Sequence, residues 1–170
     1  AAGSPRPVSF LPSEAQDGGP DGIIRRLRDP AERKKIVAYL ESELYYARPL
    51  SELVFSYARK NSQLEGISLP EVAEQRGVSP GEALCDLLLE EDLAVGHSVP
   101  PPVSYGLWRQ VSRDCMKLLA RDDYMVCSDI TPAGSMPHPR TYGAFPRFLG
   151  RLRREFGGIT VEGMVHRMTD

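Results

Sequence analysis

Cysteine is scarce in this sequence, and the three cysteines that occur are far apart. Cys85, Cys115 and Cys127 form no CxxC pair, and their number is odd. This pattern argues against a disulfide framework and against a structural zinc site. Each cysteine stands in an apolar segment, which predicts small core residues in a reducing compartment. We therefore expect a cytoplasmic protein.

An excess of positive charge and a long apolar run are missing as well. The 21 Lys and Arg residues against 23 Asp and Glu residues give a formal net charge of -2. That balance provides no basic field to hold nucleic acid or an anionic membrane surface. No apolar run approaches the roughly 20 residues that span a bilayer. The sequence thus predicts neither a nucleic-acid partner nor a membrane partner.

The composition is otherwise that of a globular protein with a hydrophobic core. Apolar residues make up 41% of the 170 residues, which is enough for one domain. Residues 1–22 contain four prolines and four glycines with little periodicity. These residues predict an irregular N-terminal segment, followed by the folded part of the chain at 23–170.

Helix signals dominate the folded part. Asp29, Ser68 and Ser79 are each followed by a proline in the first helical turn and by a glutamate three residues after the cap, the pattern of a helix start. Thr160 is a further candidate cap. A helix from about 104 to 120 follows from its apolar spacing. Its predicted buried side consists of Leu107, Trp108, Val111, Cys115, Leu118 and Leu119.

Three short apolar runs predict strands, at 53–57, 93–95 and 124–127. Strands that alternate with helices favour an α/β fold over a helical bundle. Three or so strands cannot close a barrel by themselves. The pattern therefore predicts an open sheet or an incomplete barrel.

An aspartate follows the third of these runs. Functional sites in α/β folds form where strands end, so Asp129 is a candidate general base, metal ligand or both. The alternative is a capping aspartate whose carboxylate accepts hydrogen bonds from backbone N–H groups of the next turn.

The loop 129–143 carries three more candidate residues. Arg140 has the planar guanidinium that suits a bidentate grip on a carboxylate, or else it pairs with a neighbouring acid. His138 lies between two prolines and could hydrogen-bond a substrate, orient Arg140, or face solvent. Tyr142 could cover a bound ligand or pack on the loop. We predict a substrate site here, with the alternatives open for each residue.

The run SDITPAGSMPHPRTYGAFPRFLGRLRREFGGITVEGMVHRMT at 128–169 resembles the C-terminal barrel segment of N-acyl-D-amino-acid deacylases, or D-aminoacylases, of the amidohydrolase superfamily. The His-Pro-Arg-x-Tyr-Gly-x-Phe-Pro-Arg stretch carries most of this resemblance. Leu64-Glu65-Gly66 and the helices near 69–77 and 83–91 resemble the same family, so the resemblance runs from about 22 to 170.

The resemblance implies a zinc-dependent (β/α)8 barrel that hydrolyses the carbon–nitrogen amide bond of a small N-acyl-D-amino acid. It implies that Asp129 is the catalytic acid/base beside the metal, and a possible ligand. It also implies that Arg140 holds the substrate carboxylate, with His138 and Tyr142 as further substrate-binding candidates.

The sequence departs from that family in its metal ligands. It contains no His-x-His pair, and its three histidines are scattered. We therefore expect 23–170 to be the C-terminal portion of a barrel, inactive and without zinc on its own, with the missing half or a second copy as a possible partner. Two alternatives stay open: a non-catalytic helical interaction or regulatory module, and a different amidohydrolase resembling hydantoinases or dihydropyrimidinases.

Overall fold

The computed structural model describes residues 7–42, 50–98, 104–128, 134–135, 137 and 139–169. The chain divides into two compact units. The N-terminal unit comprises residues 1–100 and 132–137, and the C-terminal unit comprises 101–131 and 138–170. Among the described residues no helix is long and apolar enough to cross a membrane.

The helices of the N-terminal unit are α1 (Ser13–Gln16), α2 (Gly19–Arg28), α3 (Pro30–Leu40), α4 (Leu69–Arg76) and α5 (Pro80–Glu90). Its strands are β1 (Val54–Ala58) and β2 (Val95–Ser98), and short 3₁₀ turns occur at Pro7–Phe10, Leu50–Glu52 and Ser62–Leu64. The C-terminal unit contains α6 (Tyr105–Leu119), α7 (Arg140–Arg147), a π-helical stretch at Phe148–Leu152, α8 (Arg153–Phe156) and α9 (Val161–Thr169).

The prediction of an irregular segment at 1–22 is wrong for residues 7–22. These residues form a 3₁₀ turn, α1 and the start of α2. Their proline and glycine residues stand at helix starts: Pro20 lies in the first turn of α2, and Gly18 precedes it with a φ of 81°. Leu11 and Ala15 are buried, so the segment contributes to the core.

The predicted helix starts are confirmed by their hydrogen bonds. Asp29 Oδ1 accepts from Ala31 N at 2.9 Å and from Glu32 N at 3.0 Å. Ser68 and Glu71 form a reciprocal capping box, and Ser79 accepts from the backbone of the residue three positions on. These bonds satisfy backbone donors that have no partner within the helix.

The only sheet in the described part of the chain consists of β1 and β2, which pair antiparallel. Two of the three predicted strands are therefore confirmed, the second of them displaced by two residues. The displacement follows from Asp92 and Leu93, whose φ values of 49° and 64° turn the chain before β2 begins. A bulge between Phe55 and Tyr57 interrupts the register of β1.

The predicted strand at 124–127 is wrong. These residues are coil, and Tyr124 and Met125 are 39% and 47% exposed. Val126 donates its backbone N–H to Arg167 O at 2.7 Å, so the segment attaches to α9 and has no partner strand among the described residues. An apolar run without a neighbouring strand to satisfy its backbone groups cannot form a sheet.

The prediction for the cysteines is confirmed for one residue and wrong for another. Cys85 is buried, Cys115 is half-buried and Cys127 is exposed. Burial raises the pKa of the Cys85 thiol to about 12. Cys127 lies in the coil at 124–127, where the sequence predicted a buried strand. It is exposed because no strand among the described residues pairs with this segment.

The N-terminal unit is organised around one continuous hydrophobic core. Helix α5 supplies its centre, because Ala83, Leu84, Cys85, Leu87 and Leu88 are all at most 1% exposed. The other members come from nearly every element of the unit: Leu11, Ala15, Ile23, Leu27, Ile36, Leu40, Leu53, Phe55, Leu64, Leu69, Val72, Ala73, Leu93 and Val95.

The C-terminal unit has a smaller core of Met116, Leu119, Leu152 and Met164. The predicted buried side of α6 is wrong for three residues, since Leu107, Val111 and Leu118 are 51%, 53% and 44% exposed. Ser112 and Met116 are buried in their place. Helix α6 therefore leaves these three residues exposed and buries Ser112 and Met116 on its inner side.

The described residues are rich in helix and contain one small antiparallel sheet, which confirms the predicted mixture of helices with a few short strands. A barrel of parallel strands is not present in the described residues, whose two strands run antiparallel. The assignment of 23–170 to part of a barrel remains a prediction.

Candidate functional site

A cavity of about 490 Å³ lies in the C-terminal unit, between α6 and the helix that starts at Arg140. Its lining comprises Trp108, Val111, Ser112, Cys115, Cys127, Ser128, Pro139, Arg140, Gly143, Ala144, Arg147, Phe148 and Leu152. Apolar side chains make up much of this lining, with two arginines and two serines among them. This is the usual composition of a small-molecule site.

The wall formed by α7 follows from the spacing of its residues. Arg140, Gly143, Ala144 and Arg147 all line the cavity, and they stand at i, i+3, i+4 and i+7, which is one face of a helix. Gly143 and Ala144 occupy little space, so the cavity extends between the two arginines. Arg140 and Arg147 therefore belong to the same wall.

The wall formed by α6 has the same spacing with different chemistry. Trp108, Val111, Ser112 and Cys115 line the cavity at i, i+3, i+4 and i+7. Burial raises the pKa of the Cys115 thiol, so this cysteine is a neutral apolar wall residue at neutral pH. The α6 wall is apolar apart from the hydroxyl of Ser112, and it faces the arginine-bearing wall.

Trp108 is held by a cluster of arginines and aromatic rings. The guanidinium carbons of Arg147 and Arg151 lie 5.5 and 4.2 Å from the centroid of the Trp108 ring, within the range of cation–π attraction. The Phe156 ring lies 5.9 Å from the same ring. Arg151 also bonds Glu155 at 2.8 Å, which raises its pKa. The indole thus restrains Arg147 at the edge of the cavity.

The structure describes two of the four predicted site residues, Arg140 and Tyr142. Arg140 is half-buried and lines the cavity. Tyr142 is 76% exposed and does not line it. Asp129 and His138 lie outside the described residues. Ser128, which precedes Asp129, and Pro139, which follows His138, both line the cavity.

The described residues do not fit a complete zinc centre. Catalytic zinc takes three protein ligands from His, Cys, Asp or Glu, and no group of three such side chains stands together in the part of the chain that the structure describes. Asp129 as a metal ligand remains a prediction.

Most residues of the cavity lining were not predicted as site residues, and two of them, Arg147 and Trp108, determine much of its chemistry. Arg147 belongs to the Phe-Pro-Arg match, and its i+7 spacing from Arg140 is the sequence signal that indicates its position. Trp108 was predicted as a core residue. Its half-exposed position beside two arginines depends on the packing of α6 against the following helix, which the sequence pattern does not reveal.

Comparison with known proteins shows which class of protein the chain resembles: it is similar to deacylases of N-acyl-D-amino acids. The relatives in question all come from Alcaligenes xylosoxydans xylosoxydans. A D-aminoacylase is 29% identical over 116 residues, which cover 68% of this chain and 21% of the relative.

Two further relatives give the same result. An N-acyl-D-glutamate deacylase is 28% identical over 72% of this chain and 22% of the relative. An N-acyl-D-aspartate deacylase is 29% identical over 56% of this chain and 19% of the relative. The resemblance to this family is thereby confirmed. The chain spans about a fifth of the length of the curated relatives it matches.

No protein-family model matches the chain. No solved structure matches it either.

Proposed function

We propose that this chain supplies the carboxylate-binding part of an amide hydrolase that acts on N-acyl-D-amino acids. The observation that carries the proposal is the position of Arg140, half-buried in the wall of a 490 Å³ cavity whose opposite wall is apolar. An N-acyl amino acid combines a carboxylate with apolar groups. The names of the three relatives support the same substrate class.

The α7 wall is suited to the charged end of such a substrate. A guanidinium binds a carboxylate through two parallel hydrogen bonds, and such bonds strengthen when water is partly excluded. Arg147 adds a second positive charge on the same face, restrained by its contact with Trp108. The acyl or side-chain end of the substrate then packs against Val111, Phe148 and Leu152.

Asp129 is proposed as the acid/base of the reaction. Its preceding neighbour Ser128 lines the cavity, which supports a place for the aspartate close to a substrate there. The carboxylate would take a proton from the attacking water and pass it to the leaving amine, so that the amide bond breaks into an acid and an amine. Because the described residues do not fit a zinc centre, no step is assigned to a metal here.

The binding step is tested by titrating the 170-residue chain with N-acetyl-D-leucine by isothermal calorimetry. Arg140→Ala should lower the affinity about tenfold or more, because a hydrogen-bonded charge pair is lost. N-acetyl-D-leucinamide, which has no carboxylate, should bind the wild-type chain as weakly as N-acetyl-D-leucine binds the variant. The matched control is Arg154→Ala, because Arg154 is exposed on α8 and does not line the cavity. Equal affinities of the Arg140 and Arg154 variants would refute the assignment.

The catalytic step needs a longer version of the protein that spans the full length of the relatives. In that version Asp129→Asn should remove most turnover and leave substrate affinity unchanged, whereas Arg140→Ala should chiefly raise KM. Turnover retained by Asp129→Asn would contradict the proposed acid/base. Zinc content of both versions, measured by elemental mass spectrometry, shows whether the shorter chain binds the metal.

A non-catalytic interaction module is the second candidate, favoured by the exposed stripe of Leu107, Val111 and Leu118 on α6. This function predicts a folded chain that binds a protein partner through α6 and shows no affinity for N-acetyl-D-leucine. The calorimetric titration therefore distinguishes the two candidates.

A further inference from the structure

The cavity of the C-terminal unit carries more positive charge than one carboxylate can balance. In the lining that the structure describes, Arg140 and Arg147 are the charged residues, and no Asp or Glu stands beside them. A substrate with a single carboxylate would balance one of these two charges. Because binding sites and their ligands tend to have complementary charge, this lining favours a ligand with two negative groups.

Arg147 pairs with no carboxylate in the part of the chain that the structure describes. Two other arginines of the same unit differ in this respect. Arg151 Nε lies 2.8 Å from Glu155 Oε1, and Arg109 Nη1 lies 3.5 Å from Glu155 Oε2. Arg147 contacts the ring of Trp108 instead, and such a contact restrains a guanidinium without occupying its N–H donors. Arg147 therefore keeps donors and charge for a ligand in the cavity.

The spacing of the two arginines suits two separate anionic groups. Arg140 and Arg147 stand two helical turns apart on one face of α7, which is roughly 10 Å along the axis. Side chains of a helix lean in the same direction, toward its N-terminus, so this spacing favours two distinct guanidinium positions. Gly143 and Ala144 line the cavity between them, and their small size leaves room for the atoms that join two carboxylates.

We propose that Arg147 is a specificity-determining residue that binds a second carboxylate, so that the cavity selects dicarboxylic N-acyl-D-amino acids. This inference rests on the proposed function, because it takes Arg140 as the residue that binds the first carboxylate. The second carboxylate can belong to the amino-acid side chain, as in N-acetyl-D-glutamate, or to the acyl group, as in N-succinyl-D-leucine. Either ligand places apolar methylene groups between its charged ends, opposite the apolar wall of α6.

Calorimetric titration of the 170-residue chain with matched pairs of ligands tests the second carboxylate. In each pair an amide replaces the distal carboxylate: N-acetyl-D-glutamine replaces N-acetyl-D-glutamate, and the succinamide analogue replaces N-succinyl-D-leucine. At least one dicarboxylate should bind about fivefold more tightly than its amide, a modest preference because Arg147 is exposed and water competes for its bonds. The pair that shows the preference identifies the source of the second carboxylate. Added salt should reduce the preference.

Three variants assign the preference to one residue. Arg147→Gln should abolish it and leave the affinity for the amide ligands unchanged, since these ligands bind without the second charge. Arg147→Lys should retain part of it, because lysine keeps the charge but not the planar guanidinium. The matched control is Arg154→Gln, which removes the same charge from the same unit at an exposed position outside the cavity lining. This control should keep the full preference.

The other results separate this inference from the proposed function. A wild-type chain that binds both amides as tightly as their dicarboxylates overturns the inference and leaves the proposed function intact. The same holds if the preference survives in Arg147→Gln, or if this variant weakens both members of a pair alike. A loss of preference in Arg154→Gln as large as in Arg147→Gln also overturns it. A wild-type chain that binds neither these four ligands nor N-acetyl-D-leucine refutes the proposed function, and the specificity role with it.

Discussion

The N-terminal and C-terminal units of this chain use their apolar residues in different ways. In the N-terminal unit, residues from α1 to α5 and from both strands meet in one core, with the inward residues of α5 almost fully buried. In the C-terminal unit, four residues form the fully buried core. Its other apolar side chains line a cavity or, like Leu107 and Leu118, face solvent.

The two units therefore contribute differently to stability and to the candidate site. We expect the N-terminal unit to be the more stable of the two, because buried apolar area is the main source of folding free energy and its core is continuous. The C-terminal unit leaves space between two helices instead of filling it, and that space holds the candidate site. Sites commonly lie in parts of a protein with less buried apolar surface.

The largest effect should appear in the reactivity of the three thiols. Burial raises the pKa of the Cys85 thiol to about 12, so very little of it is the reactive thiolate at pH 8. In iodoacetamide at that pH, Cys127 should react first, half-buried Cys115 more slowly, and Cys85 last. Mass spectrometry of peptides over time measures the order.

Unfolding the chain in urea should make the three rates similar, which controls for intrinsic reactivity. N-acetyl-D-leucine should protect Cys115 and Cys127, because both line the cavity, and leave Cys85 unaffected. If Cys85 reacted as fast as Cys115, this result would contradict the conclusion that the N-terminal core is filled whereas the C-terminal unit contains an open cavity.

Truncation of a core leucine should give the next largest effect. Leu84→Ala should lower the free energy of unfolding by about 4 kcal/mol, because Leu84 is fully buried in a well-packed core whose cavity cannot collapse. Met164→Ala, also fully buried, should lower it by about 2 kcal/mol, since the smaller core around it can relax. Urea unfolding followed by circular dichroism measures both.

Trp108 is the single tryptophan of the chain, so its fluorescence reports on the C-terminal unit in the same experiment. Leu89→Ala provides the control for Leu84, because Leu89 lies on the same helix but is half-buried. Equal losses for Leu84→Ala and Met164→Ala would show that the two cores are equally well packed.

Removal of a helix cap should lower the free energy of unfolding by a smaller amount, and by more in the N-terminal unit than in the C-terminal unit. Ser68→Ala should cost about 1 kcal/mol, because the capping box at α4 loses its hydroxyl acceptor and the reciprocal arrangement with Glu71. Thr160→Ala should cost about half as much, since Thr160 Oγ1 accepts one bond, from Gly163 N at 3.0 Å. Thermal unfolding measures both, with Ser51→Ala, an exposed serine, as the control. A larger loss of stability in Thr160→Ala than in Ser68→Ala would contradict this expectation.

The smallest effect should come from the exposed stripe of α6. Leu118→Gln should change the free energy of unfolding by less than about 0.5 kcal/mol, because its side chain is already 44% exposed. The same change should reduce the fluorescence of bound anilinonaphthalene sulfonate, which reports exposed apolar surface. Leu119→Gln, at a position 4% exposed, should destabilise the chain strongly. Similar stability losses in the two variants would mean that Leu118 is part of the core.

Local signals predicted the helices well. Asp29, Ser68 and Ser79 cap the helices that their sequences indicate, and Gly77 ends α4 in a left-handed conformation. These features depend on hydrogen bonds between residues at most a few positions apart, so the sequence contains all the information that they need.

Features that depend on distant neighbours were predicted less well. The apolar run at 124–127 has the residue types of a strand, but in the described part of the chain no strand lies beside it, and its backbone bonds α9 instead. The exposed side of α6 escaped prediction for the same reason. Which apolar residues of a helix become buried depends on what packs against it.

The roles of all four predicted site residues remain predictions. The structure places Arg140 in a cavity wall and Tyr142 at an exposed position. Asp129 and His138 lie outside the described residues. The cavity lies between α6 and α7, and Arg147 contacts Trp108 across it. These residues are far apart in the chain, and no local sequence pattern reveals such pairs.

The sequence by itself determined the helix starts and ends, the helix-rich class and the resemblance to N-acyl-D-amino-acid deacylases, because these depend on residue types at short spacings. The tertiary structure alone decided which apolar stripe of α6 faces solvent, that Arg140 and Arg147 share a cavity with Trp108, and that Glu65 holds Ser135, seventy positions away. These contacts arise only when the folded chain brings distant segments together, and their free energies depend on burial that no single segment possesses alone.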